Sequence, residues 1–219
     1  MTKCRVVIWI AVFLLLPLFA IANVNFPCKK LSFLKNGLDL ADLNKCHNLL
    51  KNCPANGPFP NQNCVKQIVA RNPICYQLNQ LSKYLNGSPS TISASPINRY
   101  TLIDQFFPAD GQNSYYVITP QNCLINTKID PRNLDPKLRK AYKNTPFIIV
   151  NFQKPNFVRR SNGRERMFAT LKITKTCLAC EVIGYARIQF DFDNKGRLVN
   201  ITLDPKKLMH HPGMLNNNA

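Results

Sequence analysis

The segment RERMFATLKITKTCLACEVIGYARIQFDF, residues 164–192, gives the strongest indication of the fold, because two strand patterns in it meet at the cysteine pair Cys177 and Cys180. If those cysteines face each other across a turn, apolar residues pair with apolar or small ones on one side, and the other side is largely polar. The apolar pairs are Ile173 with Gly184, Leu171 with Ala186, Ala169 with Ile188 and Met167 with Phe190. The other pairs are Lys172 with Tyr185, Thr170 with Arg187 and Arg166 with Asp191. This segregation predicts an antiparallel hairpin with one buried face.

The segment RLVNITL, residues 197–203, predicts a third strand beside the hairpin. Two loops compete for the connection: a four-residue loop at 193–196, and a three-residue loop with a glycine bulge at Gly196. The first places Val199 opposite Phe190, Ile201 opposite Ile188 and Leu203 opposite Ala186. The second places Asn200 opposite Phe190. Either way we expect a β-meander with one face on a core.

The region before residue 86 is rich in cysteine and has helical periodicity. Its apolar positions fall into three groups, namely Leu40, Leu43, Cys46 and Leu50; Cys64, Val65, Ile68 and Val69; and Ile74, Leu78, Leu81 and Leu85. Asp39 is a candidate N-cap for the first helix, and Asn72-Pro73 favours the start of the third. We therefore expect three short helices, separated by a turn-rich break at residues 54–63.

Further strand candidates lie at residues 115–119, 122–126 and 146–153, and Asp135-Pro136 predicts a helix to about residue 143. The predicted fold class is α+β: a disulfide-stapled N-terminal helical part, followed by an antiparallel β-meander packed on a helix. We expect the helix at 135–143 and parts of the N-terminal helices to cover the core. The outline is compatible with cystatin-like or nuclear-transport-factor-like cones by architecture only. The sequence contains no motif of either family, so this analogy implies no function.

The predicted division of the chain follows its changes in composition. The segments are a signal peptide at 1–22, a cysteine-rich helical part at 23–85, a Ser/Pro-rich linker or loop at 86–98, an α+β domain with an antiparallel sheet at 99–205, and a polar tail at 206–219.

The first residues are typical of a secretory signal peptide. Lys3 and Arg5 precede an apolar run at residues 6–19, and Ala20-Ile21-Ala22 is a small-x-small cleavage signal. An uncleaved membrane anchor is the alternative, but the run is short for a span and Pro17 interrupts it. We expect cleavage before Asn23, no transmembrane span in the remaining chain, and a secreted or periplasmic location.

The cysteines predict a set of disulfides. Cleavage removes Cys4 from nine cysteines and leaves eight. Nested pairing of two antiparallel helices joins Cys53 to Cys64 and Cys46 to Cys75, and elimination then joins Cys28 to Cys123. The remaining pair is Cys177 with Cys180.

The C-x-x-C pair has three interpretations. A thiol redox centre needs the pair at a helix N-terminus, where the first thiol's pKa is lowered, but a strand pattern follows here. A structural zinc site needs four ligands, usually from a second such pair, and none is present. A disulfide staple across the turn is therefore favoured, and a thiol–disulfide oxidoreductase remains the alternative.

The charge is strongly positive, with 29 Lys+Arg against 11 Asp+Glu and a formal net charge of +18. Such an excess favours anionic partners, although a merely solvated surface is the alternative. One local cluster is the predicted anion-binding surface: Lys154, Arg159, Arg160, Arg164 and Arg166.

Catalytic signals are few, and we predict no catalytic residue, cofactor or metal. His210 and His211 lie in the polar tail, while His47 with a basic groove would suit a small nuclease or hydrolase, the weakest hypothesis. Tyr115, Tyr116 and Tyr185 could stack on a sugar. The sequence favours an exported, disulfide-stabilised binding protein over an enzyme. Its expected partner is a lipid head group, an acidic glycan or another exported protein, and nucleic acid is disfavoured.

Overall fold

The computed structural model describes residues 28–34, 36–57, 59–109, 111–161, 163–204 and 209–210. The expected signal peptide, its cleavage before Asn23 and most of the polar tail, including His211, lie outside these residues. Within them the chain has four α-helices and antiparallel sheets. The α+β class expected from the sequence is therefore confirmed.

The regular elements are as follows. The α-helices are α1 (Leu40–Leu50), α2 (Gln62–Arg71), α3 (Tyr76–Tyr84) and α4 (Pro136–Ala141). The strands are β1 (Cys28–Lys30), β2 (Ala55–Asn56), β3 (Phe59–Pro60), β4 (Ile92–Ile97), β5 (Tyr100–Phe107), β6 (Gln112–Ile118), β7 (Cys123–Asn126), β8 (Phe147–Asn151), β9 (Asn156–Arg159), β10 (Glu165–Lys175), β11 (Val182–Phe192), β12 (Leu198–Leu203) and β13 (Met209–His210).

Helices α1, α2 and α4 begin at side-chain caps. Asp39 accepts hydrogen bonds from the backbone N–H groups of Ala41 and Asp42, at 2.9 and 3.0 Å. Asn61 caps α2 and Asp135 caps α4 in the same way. These carboxylate and amide oxygens satisfy N–H groups that have no partner within the helix. The expected caps at Asp39 and Asp135 are therefore confirmed.

The strands form two larger sheets and one short ribbon. The first sheet has the order β1-β7-β6-β5-β4. The second has the order β12-β11-β10-β8, with β9 also paired to β10 and β13 to β11. The ribbon pairs β2 with β3. Every pairing is antiparallel, as short connections between consecutive strands favour.

The first sheet is the middle of three layers. One face, carrying Ile92 and Ile103, packs against α1, α2 and α3 in one hydrophobic cluster. The opposite face, carrying Leu102 and Val117, packs on the apolar face of the second sheet in another. The sequence predicted that α4 and parts of the N-terminal helices would cover the meander, but no α4 residue is buried, and the N-terminal helices pack on the first sheet instead. The cover is mainly the first sheet, since that sheet offers a second apolar face.

The first predicted hairpin has the expected register over β10 and β11, from Arg166 opposite Asp191 to Ile173 opposite Gly184. Beyond Ile173 a bulge adds one residue to β11, so Thr174 pairs with Val182. This bulge therefore lies between the regular part of the β10–β11 ladder and the turn that carries Cys177 and Cys180.

The second predicted hairpin has neither expected register, because Ile201 lies opposite Phe190. The loop itself is the three-residue alternative: the Asp193 N–H donates to Arg197 O at 2.9 Å, and Gly196 has φ +76°. A bulge between Asp191 and Phe192 then shifts the pairing by one more residue. The shift keeps an apolar side chain on the core face, since Ile201 is buried.

The sequence predicted a linker or exposed loop at residues 86–98, but the structure places a strand within this range. Residues 92–97 form β4, which pairs with β5 and buries Ile92. Serines alternate with apolar residues here, so the segment is polar in composition although one side of the strand is apolar. Strand β5, which the sequence analysis did not identify, is the central partner of β4 and β6.

Four disulfides join the eight cysteines of the described chain. The pairs are Cys28–Cys123, Cys46–Cys75, Cys53–Cys64 and Cys177–Cys180. They are the four pairs that nesting, elimination and the hairpin register predict. The first joins strand β1 to β7, the next two hold the helices together, and the last closes the turn between β10 and β11.

Candidate functional site

The outer face of the second sheet carries a groove of about 620 Å³. This outer groove is lined by Phe152, Gln153, Lys154, Asn156, Phe168, Thr170, Tyr185 and Arg187. Strand alternation positions them, because Met167 and Ala169 fill the core and Phe168 and Thr170 therefore face outward. The volume is within the range of small-molecule sites.

Two aromatic side chains meet at one part of the outer groove. The Phe152 N–H donates to Thr170 O at 2.8 Å, which fixes the chain directly after β8. The Phe152 ring lies edge-on to Tyr185, with centroids 4.8 Å apart, and Phe152 is 50% exposed. An aromatic ring held this firmly and left this accessible offers a flat contact surface.

Two cations border the same groove. The Arg187 guanidinium lies over the Phe168 ring, 3.8 Å from its centroid, and its Nη1 is 3.8 Å from Asp204 Oδ2. Lys154 is exposed, and its charge acts on Asp104 of strand β5. Burial raises the pKa of Asp104, and a hydrogen bond from Asn113 and the charge of Lys154 offset that rise in part.

The predicted basic cluster lies in three places. Arg159, Arg160 and Arg164, here called the basic hairpin, flank the β9–β10 turn, where the Arg160 N–H donates to Arg164 O at 2.9 Å. Arg166 lies on the outer face and donates to Asp191 Oδ1 at 2.6 Å. Of the five residues, Lys154 alone lines the outer groove.

His47 lies apart from this face. It lines a separate pocket of about 330 Å³ in the helical layer, together with Lys51, Cys53 and Phe59. None of the cluster residues lines that pocket. Burial lowers the pKa of His47, while a backbone hydrogen bond at Ile92 opposes the shift. The structure therefore does not place His47 beside the basic cluster, as the nuclease or hydrolase hypothesis required.

Cys177 and Cys180 form a disulfide within a turn. The Cys180 N–H donates to Cys177 O at 3.2 Å, and the next regular element is strand β11. No helix N-terminus follows the pair, so the usual means of lowering a redox thiol's pKa is not at hand. Among the described residues, no group of three or more His, Cys, Asp or Glu could hold a metal ion.

Comparisons with known protein families, curated proteins and solved structures find no match to this chain. Function is therefore inferred from the geometry and charge of the molecule itself.

Part of the outer groove follows from the predicted strand register, although the sequence did not indicate that these residues form a groove. The predicted register already placed Tyr185 and Arg187 on the outward side, where Tyr185 was a candidate for stacking. Phe168 follows from the same alternation, but the sequence analysis did not select it. Phe152 was missed because it follows the strand β8 and reaches Tyr185 only through the packing of β8 against β10.

Proposed function

We propose that this protein is an exported binding protein whose second sheet recognises an anionic partner. The observation that carries the proposal is the outer groove, where exposed aromatic rings lie beside Lys154 and Arg187. A concave site with a few polar groups among aromatic side chains is the usual form of a ligand site.

Export is supported by the covalent framework. Four disulfides are stable in an oxidising compartment and uncommon in the reducing cytosol. The N-terminal sequence has the features of a signal peptide. Within the part of the chain that the structure describes, no helix is long and apolar enough to span a membrane.

The anionic nature of the partner is supported by charge at two scales. The whole chain has a formal net charge of +18, which attracts polyanions over a distance of about 10 Å at ordinary ionic strength. Locally, the basic hairpin adds three arginines at the turn between β9 and β10 of the second sheet. Guanidinium groups match carboxylates, sulfates and phosphates by paired hydrogen bonds.

The proposal predicts that polyanion binding depends on the basic hairpin. We expect Arg159→Ala plus Arg160→Ala to weaken binding to a heparin-type polymer by about tenfold near 0.1 M salt, since each exposed charge contributes up to ~1 kcal/mol. Binding of the wild type should weaken as salt rises. Titration calorimetry measures both.

A matched control removes the same charge elsewhere. Lys66 and Arg71 are exposed on α2, in the helical layer, so Lys66→Ala plus Arg71→Ala should leave the affinity nearly unchanged. Equal losses in the two double variants would mean that net charge alone attracts the polymer. No binding to any anionic polymer or vesicle would overturn the proposed function.

A further inference from the structure

We infer that the outer groove is the binding site of an acidic oligosaccharide. This inference rests on the proposed function and names the class of ligand within it. It depends on four features of the groove: its shape, its exposed rings, its polar side chains without partners, and its cations.

The shape distinguishes a chain molecule from a membrane. The outer groove is a recess of about 620 Å³ within the sheet face, lined by Phe168 and Thr170 of β10 and Tyr185 and Arg187 of β11. A flat bilayer surface does not fill such a recess, whereas a slender oligosaccharide enters it and contacts its walls. The concavity therefore favours a soluble chain over a lipid surface.

The aromatic pair suits a sugar ring. A pyranose has one face made largely of C–H groups, which packs on an aromatic ring and leaves the hydroxyl groups at the periphery. Phe152 is half exposed and is held edge-on by Tyr185 at 4.8 Å, so its accessible surface is already in place before a ligand binds. A preformed contact costs little ordering on binding.

The polar side chains of the groove have hydrogen-bonding capacity to spare. Gln153, Asn156 and Thr170 all line it. Within the described residues none of these three side chains forms a hydrogen bond. Two amides and a hydroxyl can both donate and accept, which matches the hydroxyl groups of a sugar better than the acceptor-only oxygens of a phosphate.

The cations supply the preference for an acidic sugar. The Arg187 guanidinium is held between the Phe168 ring at 3.8 Å and Asp204, so its position is defined. Among the described residues Lys154 forms no ion pair. Lys172 borders the neighbouring recess, which also includes Phe152. This local positive excess favours a carboxylate- or sulfate-bearing sugar over a neutral one.

The experiment uses a tryptophan as a local reporter. The sequence has one tryptophan, Trp9, which lies in the expected signal peptide, so the cleaved chain of a Phe152→Trp variant has a single tryptophan, in the groove. We expect saturable fluorescence change with a heparin-derived hexasaccharide or a galacturonate hexamer, and none with maltohexaose. Tyr76→Trp is the matched control, since Tyr76 is 53% exposed on α3 in the helical layer and should not respond.

Affinities separate the groove from the basic hairpin. Phe152→Ala and Lys154→Ala should each weaken hexasaccharide binding about fivefold, since each removes a contact of roughly 1 kcal/mol. Tyr76→Ala and Lys66→Ala, both in the helical layer, should not weaken it. If both groove variants bind normally while Arg159→Ala plus Arg160→Ala does not, the inference is overturned, and anion binding by the second sheet depends on the basic hairpin instead of the groove.

Two further outcomes decide the remaining cases. If only phosphatidylglycerol vesicles bind, and do so through Phe152, the ligand is a lipid head group and the inference is wrong. If neither the acidic oligosaccharides nor the vesicles bind the wild type, both the inference and the proposed function fail.

Discussion

At the scale of single residues, a buried cluster of polar side chains around Glu165 helps to join the two sheets. Glu165, at the start of β10, is 3% exposed and accepts a hydrogen bond from the Tyr100 hydroxyl at 2.8 Å. Arg99, which leads into β5, forms an ion pair with the same carboxylate at 2.9 Å. A carboxylate this deeply buried is stable only when its partners remain in place. The contact therefore fixes the relative position of β5 and β10.

The Tyr100 hydroxyl gives a prediction about alkaline stability. Burial, first, and then the Glu165 carboxylate raise the pKa of Tyr100 above its ordinary value of 10.0. The neutral phenol thus adds stability that is fully present below pH 10 and is lost as pH rises above it, because only the unfolded chain ionises there. Tyr100→Phe should cost about 1–2 kcal/mol at pH 8. That difference should shrink towards pH 11.

Urea unfolding of both proteins at pH 8, 10 and 11 measures this. The substitution keeps the ring, which packs on Phe157 and Phe192, so the core is not emptied. Tyr115 and Tyr116 also have raised pKa values and are present in both proteins, so their effect cancels. Unfolding free energies that stay the same distance apart from pH 8 to pH 11 would contradict the role assigned to the hydroxyl.

Apart from the disulfides and the helix caps, residue contacts could be predicted from the sequence only where a hairpin register defines them. The pair Arg166 and Asp191 follows directly from the β10–β11 register and is present at 2.6 Å. The contact of Tyr100 with Glu165 spans 65 residues and two sheets. No local pattern indicates that the two sheets pack face to face, so this contact could not be predicted from the sequence. The same holds for the position of Phe152 in the outer groove, which depends on the packing of the strands.

At the scale of elements, the turns show why local patterns leave the register open. Period-two alternation shows which residues of β12 share a face, but a loop longer by one residue moves every side chain of the strand to the opposite face of the sheet. The register of β12 is set by two features of this turn. Asp193 Oδ1 accepts hydrogen bonds from the Lys195 and Arg197 N–H groups at 2.9 Å, which stabilises the three-residue loop, and a bulge beyond the loop shifts the pairing further. Bulges leave little trace in composition, so the sequence did not reveal them.

The disulfides predict a graded effect of loop length on stability. On the chain-entropy estimate, Cys177–Cys180, with a separation of 3, contributes about 2 kcal/mol, and Cys28–Cys123, with a separation of 95, about 5 kcal/mol. We expect Cys177→Ser plus Cys180→Ser to fold, bind its ligand and melt slightly earlier than the wild type. Cys28→Ser plus Cys123→Ser should lower the melting temperature more.

Calorimetry of the two double variants gives the comparison, and a thiol-exchange assay tests the competing hypothesis. The turn pair is partly accessible, so a redox role would show as disulfide reduction catalysed by the wild type and abolished in Cys177→Ser plus Cys180→Ser. That result would favour an oxidoreductase over a structural staple.

At the scale of the whole molecule, the helical part and the β part do not have separate cores. Strand β1 comes from the N-terminal part and pairs with β7 at the edge of the first sheet. The helix-facing side of that sheet buries Ile92, Ile103 and Leu124 among residues of the helices. The sequence separated 23–85 from 99–205 because their composition differs, but composition does not show that one sheet has two apolar faces.

This layering predicts that residues 86–204 do not form a stable unit alone. Without the helices, the fully buried Ile92 and Ile103 side chains and their neighbours become solvent-exposed on one face of the first sheet. Cys123 also loses its partner Cys28. An apolar face of this kind promotes association. We therefore expect the fragment to bind a hydrophobic dye, associate in solution and unfold without a sharp transition, as loosely packed states do.

The matched control is the chain from residue 23 to residue 204, which should melt cooperatively as a monomer. Scanning calorimetry and sedimentation of both proteins test this, and a monomeric fragment with a cooperative transition would show that the β part folds independently of the helices.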